Sequence, residues 1–213
     1  MIKNFLIYFT LLWIGFQVVE AQIVTNLLIS GGTGSKKDLV IIGDGFQAGA
    51  DQIVFNNFVT TTIMQGMFGN GPLREDMNAF NIYRINMIST DSGVTQVDAA
   101  GNVVTSKNTA LGYRYSGNWN RCWMEGGIST SSGLRFLIDS LVPGRDYVIV
   151  ILNEANRGAC TRGREFAMTT GGTWPTAAHE AGHLFGNLCD EYFGGMAAYT
   201  GGEPGCANLT RAC

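Results

Sequence analysis

Two histidines and a glutamate make the most chemically suggestive pattern in the chain, His179-Glu180-Ala181-Gly182-His183. On a helix, residues i and i+4 lie one turn apart with Cβ atoms roughly 5–6 Å from each other, so both imidazoles can bind one zinc ion at about 2.0–2.1 Å. Glu180 is rotated about 100° around the helix from His179, so it can face a water molecule and take its proton as a general base. We therefore predict a zinc site with a neighbouring base. The alternative is a core helix with two hydrogen-bonded histidines.

A catalytic zinc site needs a third protein ligand and one position left open. Gly186 can end the helix and turn the chain back toward the metal, which makes Cys189, Asp190 and Glu191 the candidates. Sites of the HExxHxxGxx type use the sixth residue after the second histidine, which here is Cys189, but this cysteine can instead form a disulfide. Because a carboxylate suits a site that must leave room for water, we expect Asp190 to be the ligand, ahead of Glu191 and then Cys189.

The pattern lies on a predicted helix that opens near Trp174-Pro175, since proline suits the first turn of a helix. One side of this helix is apolar and can pack against a sheet. Its members are Ala177, Ala181, Leu184 and Leu188. Gly182 costs a helix roughly 1 kcal/mol, so we interpret it as a position of close approach by another group.

Upstream of this helix, apolar patterns of strand and helix type alternate. Continuous apolar and β-branched runs predict strands at residues 38–46, 79–90, 146–153 and 165–170. Apolar residues at three- and four-residue steps predict helices at 48–68 and 131–141, and residues 91–127 predict a loop-rich excursion. This order indicates an α/β domain in which helices pack on a twisted mixed sheet.

Residues 164–172, immediately before the helix with the histidines, are a candidate for the upper wall of a cleft. We expect an edge strand whose free backbone groups pair with an extended substrate peptide. An ordinary internal strand is the alternative.

The first 21 residues have the pattern of a signal peptide: Lys3, an apolar run from Phe5 to Val19, then Ala21. The apolar run has about fifteen residues, whereas a membrane span needs roughly twenty. We predict cleavage after Ala21 and a secreted, periplasmic or cell-surface protein without a membrane span. A lead segment at 22–37 and one domain at 38–213 would follow, and the turn-rich end of the sequence suggests that this domain is incomplete at its C-terminus.

The cysteine content and the net charge bear on two further questions, whether the cysteines form disulfides or a metal site and whether the chain binds nucleic acid. In an exported chain, cysteines without a CxxC pair favour disulfides over a thiolate metal site. The five are Cys122, Cys160, Cys189, Cys206 and Cys213. The net charge of -3 and the absence of a basic stripe give no reason to expect a nucleic-acid partner.

Gly43, Gly45 and Ala48 match the dinucleotide-binding fingerprint between a strand and a helix. That fingerprint also needs an acidic residue about twenty positions later, and residues 63–70 contain none. We therefore interpret these glycines as a tight turn.

The segment HEAGHLFGNLCDEY (179–192) resembles the HExGHxxGxLxDEY signature of the IgA-peptidase family of zinc metallopeptidases. Four other segments are also similar to that family: DLVIIGDGF, FNIYRINMIST, NTALG and DYVIVILNEANRGAC. The resemblance covers most of residues 38–210. Family domains usually continue past the stretch that Tyr199–Thr210 resembles, which agrees with an incomplete C-terminus.

This resemblance implies a zincin-like fold and an exported endopeptidase that uses Zn²⁺ to hydrolyse protein or peptide substrates. It implies His179 and His183 as zinc ligands, Glu180 as general base and Asp190 as third ligand. The competing hypothesis is a non-catalytic secreted binding protein that keeps the fold. The intact Glu180 favours the enzyme, because a metal site kept only for structure has no use for a base beside its first ligand.

Overall fold

A computed structural model describes residues 23–116, 124–127 and 131–189 of the chain. Its strands, in chain order, are β1 (Ile23–Leu28), β2 (Lys37–Asp44), β3 (Phe80–Asn86), β4 (Thr95–Val97), β5 (Val103–Thr105), β6 (Arg114–Tyr115), β7 (Met124–Glu125), β8 (Tyr147–Leu152), β9 (Ala159–Arg162) and β10 (Glu165–Thr169). Its α-helices are α1 (Ala50–Phe58), α2 (Ser132–Leu141) and α3 (Trp174–Gly186). The predicted signal peptide lies outside the described residues.

The larger sheet has six strands in the order β1-β3-β2-β8-β10-β9. Its four central strands run parallel, whereas β1 pairs antiparallel with β3, and β9 pairs antiparallel with β10. The prediction of an α/β domain with a mixed sheet is therefore confirmed. β1 comes from the segment that precedes residue 38, so that segment contributes a strand to the sheet.

Alternation along the central strands divides the core into two layers. In β2, Leu39 and Ile41 face the layer that contains α1 and α3, while Val40 and Ile42 face the layer that contains α2. All four side chains are fully buried. Burial of each contributes about 1.5–3 kcal/mol relative to exposure, so both faces of this strand hold the helices on the sheet.

The helix predicted at 48–68 is present, but only its first part is α-helical. A π-helical segment, Val59–Asn70, continues α1. The hydroxyls of Thr60 and Thr61 each donate to the carbonyl four residues earlier at 2.9 Å. These are the carbonyls that α-helical backbone bonds would use, so the side chains compete with the α-helical pattern.

The excursion predicted at 91–127 contains a second, four-stranded sheet in the order β5-β4-β6-β7. Asp44, at the end of β2, accepts bonds of 2.9 Å from the backbone N–H groups of Leu111 and Tyr113 and from the hydroxyl of Thr109. Burial raises the pKa of Asp44, and these donors oppose that effect. The buried carboxylate thus ties the excursion to the larger sheet.

Gly45, between β2 and α1, forms the expected tight turn, whereas Gly43 lies within β2. Gly45 has a φ of 79°, and a Cβ there would lie 2.5 Å from the carbonyl oxygen of Gly93. Only glycine tolerates both the positive φ and the close carbonyl, so the backbone of this turn requires glycine at position 45.

The expectation that residues 164–172 form an edge strand is wrong. β10 pairs with β8 on one side and β9 on the other, with Phe166 opposite both Ile149 and Thr161. In the described part of the chain, β9 is the outermost strand on this side. Its four residues, ACTR, contain no apolar run that would have predicted a strand.

None of the helices among the described residues has the length and hydropathy needed to cross a membrane.

Candidate active site

Helix α3 carries the two histidines and is fixed to the sheet by its inner face. Pro175 lies in the first turn, where its missing N–H costs no helical hydrogen bond. Ala177, Ala181 and Leu184 are buried in the core layer on that side of the sheet. The opposite face therefore carries His179 and His183, whereas Glu180 is buried like the inner face.

The end of α3 folds back over the helix. Asn187 has a left-handed conformation, with φ 49° and ψ 39°, and its backbone N–H donates to the carbonyl of Gly182. A Cβ on Gly182 or Gly186 would lie 3.3 or 3.1 Å from the Leu188 side chain, which packs across both glycines. This confirms Gly182 as a close-approach position. Leu188 lies beyond the helix and is 40% exposed, so its predicted place in the buried stripe is wrong.

The rings of His179 and His183 meet on the outer side of α3. Their Nε2 atoms are 3.1 Å apart, and the rings are nearly perpendicular, with an interplanar angle of 85°. Nδ1 of His183 lies 2.5 Å from the carbonyl oxygen of Leu188. A carbonyl can only accept, so Nδ1 carries the proton, and Nε2 of the neutral ring keeps a lone pair directed at the other histidine.

This geometry fits a zinc ion. Two nitrogens at 2.0–2.1 Å from one tetrahedral zinc are roughly 3.3 Å apart, close to the separation found here. The bond from His183 to a backbone carbonyl is the type of outer contact that orients zinc-binding histidines. His179 and His183 could therefore hold the metal together.

For the third ligand, the described residues contain no group of three or more His, Cys, Asp and Glu side chains that could hold a metal. Asp190 and Glu191 lie outside the described residues. Cys189 is disulfide-bonded, which removes it as a thiolate ligand. Of the three candidates, the two carboxylates remain.

The Glu180 residue of α3 is 7% exposed, and its side chain contacts the outer strand β9. The hydroxyl of Thr161 is 2.6 Å from Glu180 Oε2 and 3.1 Å from the Glu180 carbonyl oxygen. Sequence reasoning missed this threonine, because the contact arises from the fold of the sheet and not from a motif. It also missed the Leu188 carbonyl, because every residue has a main-chain oxygen and the residue type therefore gives no indication of this contact.

The predicted disulfide chemistry is confirmed at two of the five cysteines. Cys160, on β9, and Cys189, just after α3, are both disulfide-bonded. Cys122, Cys206 and Cys213 lie outside the described residues. One disulfide-bonded cysteine thus lies within β9 and the other just after α3, the two elements that carry the candidate site.

A convergent histidine pair beside a buried carboxylate, on a helix packed against a mixed sheet, supplies the side chains that a metal-dependent hydrolase requires. The family model described as IgA Peptidase M64 matches residues 25–212, and the chain belongs to that family. It is therefore a peptidase of the metallopeptidase class, as the resemblance in the sequence predicted. No curated protein matches the chain.

Proposed function

We propose that this peptidase is an exported, zinc-dependent endopeptidase with a zincin-like fold. His179, His183 and Asp190 would hold the zinc, and Glu180 would act as general base. The observation that carries the proposal is the 3.1 Å separation of the two Nε2 atoms. The bond from His183 Nδ1 to the Leu188 carbonyl supports it, because that bond leaves Nε2 ready to bind a metal.

The chemistry that zinc supplies when bound is Lewis acidity, which polarises the scissile carbonyl and eases deprotonation of the attacking water. Glu180 takes the proton from that water and then delivers it to the leaving amine. The sheet and β9 shield Glu180 from bulk solvent, so its carboxylate acts in a site with little competing water. The bond from its Nδ1 to the Leu188 carbonyl holds His183 in one tautomer throughout the reaction.

The outer strand β9 replaces residues 164–172 as the place where an extended substrate could bind. In the described residues, β9 pairs with β10 on its inner side and is the last strand of the sheet. An added peptide strand would gain main-chain hydrogen bonds there, next to the strand that contacts Glu180. This placement favours internal peptide bonds as substrates over chain ends.

Export is proposed from residues 1–21 and from the disulfides. Disulfide-bonded Cys160 and Cys189 fit a protein that matures in an oxidising compartment. N-terminal sequencing of the mature protein should begin at Gln22.

Zinc analysis combined with casein digestion tests the function. The full chain should contain one zinc per molecule and digest casein, lose this activity to a chelator, and regain it when zinc is added. Stoichiometric zinc without proteolysis would instead identify a non-catalytic binding protein. Proteolysis that persists in the zinc-free protein would overturn the metal assignment.

A further inference from the structure

We propose that Thr161 is a positioning residue for the general base, an inference that rests on the proposed function. Its hydroxyl has a single proton and lies 2.6 Å from Glu180 Oε2, against 3.1 Å from the Glu180 carbonyl oxygen. Both oxygens are acceptors, so the shorter contact receives the stronger donation. A bond to an ionised carboxylate is also about twice as strong as one between neutral groups.

The donor is fixed to the sheet and not to the helix that carries Glu180. Thr161 lies opposite Phe166, whose side chain is fully buried in the core. Threonine is β-branched and therefore stiff at χ1, so the strand sets the direction of its hydroxyl. The preceding residue, Cys160, is disulfide-bonded, which further restrains this strand.

This arrangement fixes the plane of the carboxylate. The terminal torsion of a glutamate is broad when nothing holds it. A bond from β9 to Oε2 selects one orientation, so the carboxylate keeps a constant position relative to the histidine pair. Proton transfer depends steeply on such alignment, and losing it should reduce turnover more than substrate binding.

A purely structural role is the competing explanation, since the same bond also joins α3 to the edge of the sheet. Thr161→Val keeps the shape of the side chain and removes the hydroxyl, whereas Thr161→Ser keeps the hydroxyl. Thr169→Val is the matched control. The Thr169 hydroxyl also makes a hydrogen bond, 2.5 Å from the carbonyl oxygen of Asn156 in the loop between β8 and β9. All three can be made in the full chain.

We expect Thr161→Val to lower kcat on a peptide substrate roughly 10- to 100-fold, with KM changed less than about threefold. Thr161→Ser should stay within about threefold of the wild type, and Thr169→Val should lose stability without a comparable loss of kcat. In a Glu180→Gln background, Thr161→Val should change the residual rate less than about twofold, because the base it serves is gone. An equal loss in both backgrounds would show a structural role and overturn the inference.

Two readouts do not depend on turnover. Chelator competition should give Thr161→Val the same zinc affinity as the wild type within about threefold, since the histidines are unchanged. The infrared carboxylate band assigned to Glu180, taken from the wild-type minus Glu180→Gln difference, should shift in Thr161→Val and stay in place in Thr161→Ser. An unshifted band refutes the contact even if the protein is inactive. A wild type without chelator-sensitive proteolysis refutes the proposed function instead.

Discussion

Gly66, in the π-helical segment, lies directly against Trp174, the first residue of α3. A Cβ on Gly66 would overlap the Trp174 Cβ and lie 2.9 Å from its Cγ. The start of the helix that carries the histidines is therefore set by a residue more than a hundred positions earlier. A side chain at Gly66 would push this end of α3 off the core.

Gly66→Ala should lower the free energy of unfolding by about 1–3 kcal/mol through overpacking. Gly32→Ala is the control, because a Cβ at Gly32 meets nothing within 4 Å. Urea unfolding of both variants measures the difference. Equal midpoints for the two would contradict the close contact.

Glu180→Gln should keep zinc and lose nearly all turnover, because it removes the base and leaves the histidines. His183→Ala should lose the metal itself. Zinc content and peptide hydrolysis are measured on the same preparations. General bases typically supply 10²–10⁴-fold, so more than about a tenth of wild-type activity in Glu180→Gln would show that Glu180 is not the base.

Asp44→Asn should destabilise the fold by about 1–3 kcal/mol, because three donors converge on the carboxylate and the new amide would face one of them. Asp76→Asn is the control, since Asp76 is exposed and makes no side-chain capping bond. Denaturant midpoints compare the two variants. A neutral Asp44→Asn would mean that this carboxylate does not anchor the excursion.

Burial raises the pKa of Glu165, although the Tyr113 hydroxyl donates to its carboxylate. The folded chain thus holds the Glu165 proton more tightly than the unfolded chain, and this contribution to stability is lost as pH rises through the folded pKa. Glu165→Gln removes the effect, so its unfolding free energy relative to the wild type should increase from about pH 5 to about pH 7.

Asp98→Asn serves as the control for that measurement. A side-chain bond from Asn102 lowers the pKa of Asp98, so Asp98 stays ionised in both states across the same range. Its difference from the wild type should not vary with pH there. A flat Glu165→Gln series would show that burial does not disfavour the charge of Glu165.

The main elements of the fold could be predicted because their patterns are local. β8 contains a continuous run of buried apolar residues from Val148 to Leu152, and α3 combines an early proline with an apolar face. β9 and the strands of the second sheet are two to four residues long, too short to show a period. The change from α- to π-helix after Phe58 coincides with hydroxyl bonds of Thr60 and Thr61, which a hydrophobic pattern does not encode.

At the candidate site, the histidine pair could be predicted because both histidines lie on one helix, where spacing fixes geometry. Thr161 could not, since it meets Glu180 across 19 residues and an antiparallel strand pair. The partner of His183 is a main-chain oxygen, and any residue at position 188 supplies one. Asp190 stays a prediction.

Cys160 and Cys189 adjoin Thr161 and Leu188, the residues that contact Glu180 and His183. In the proposed mechanism neither cysteine takes part in hydrolysis, yet both restrain the residues that would orient it. Loss of activity in dithiothreitol would therefore have two possible causes, reduction of the disulfides at Cys160 and Cys189 and removal of metal by the dithiol. To separate these two effects, the activity should be measured in a reductant that binds zinc poorly, and the metal content should be measured on the same samples.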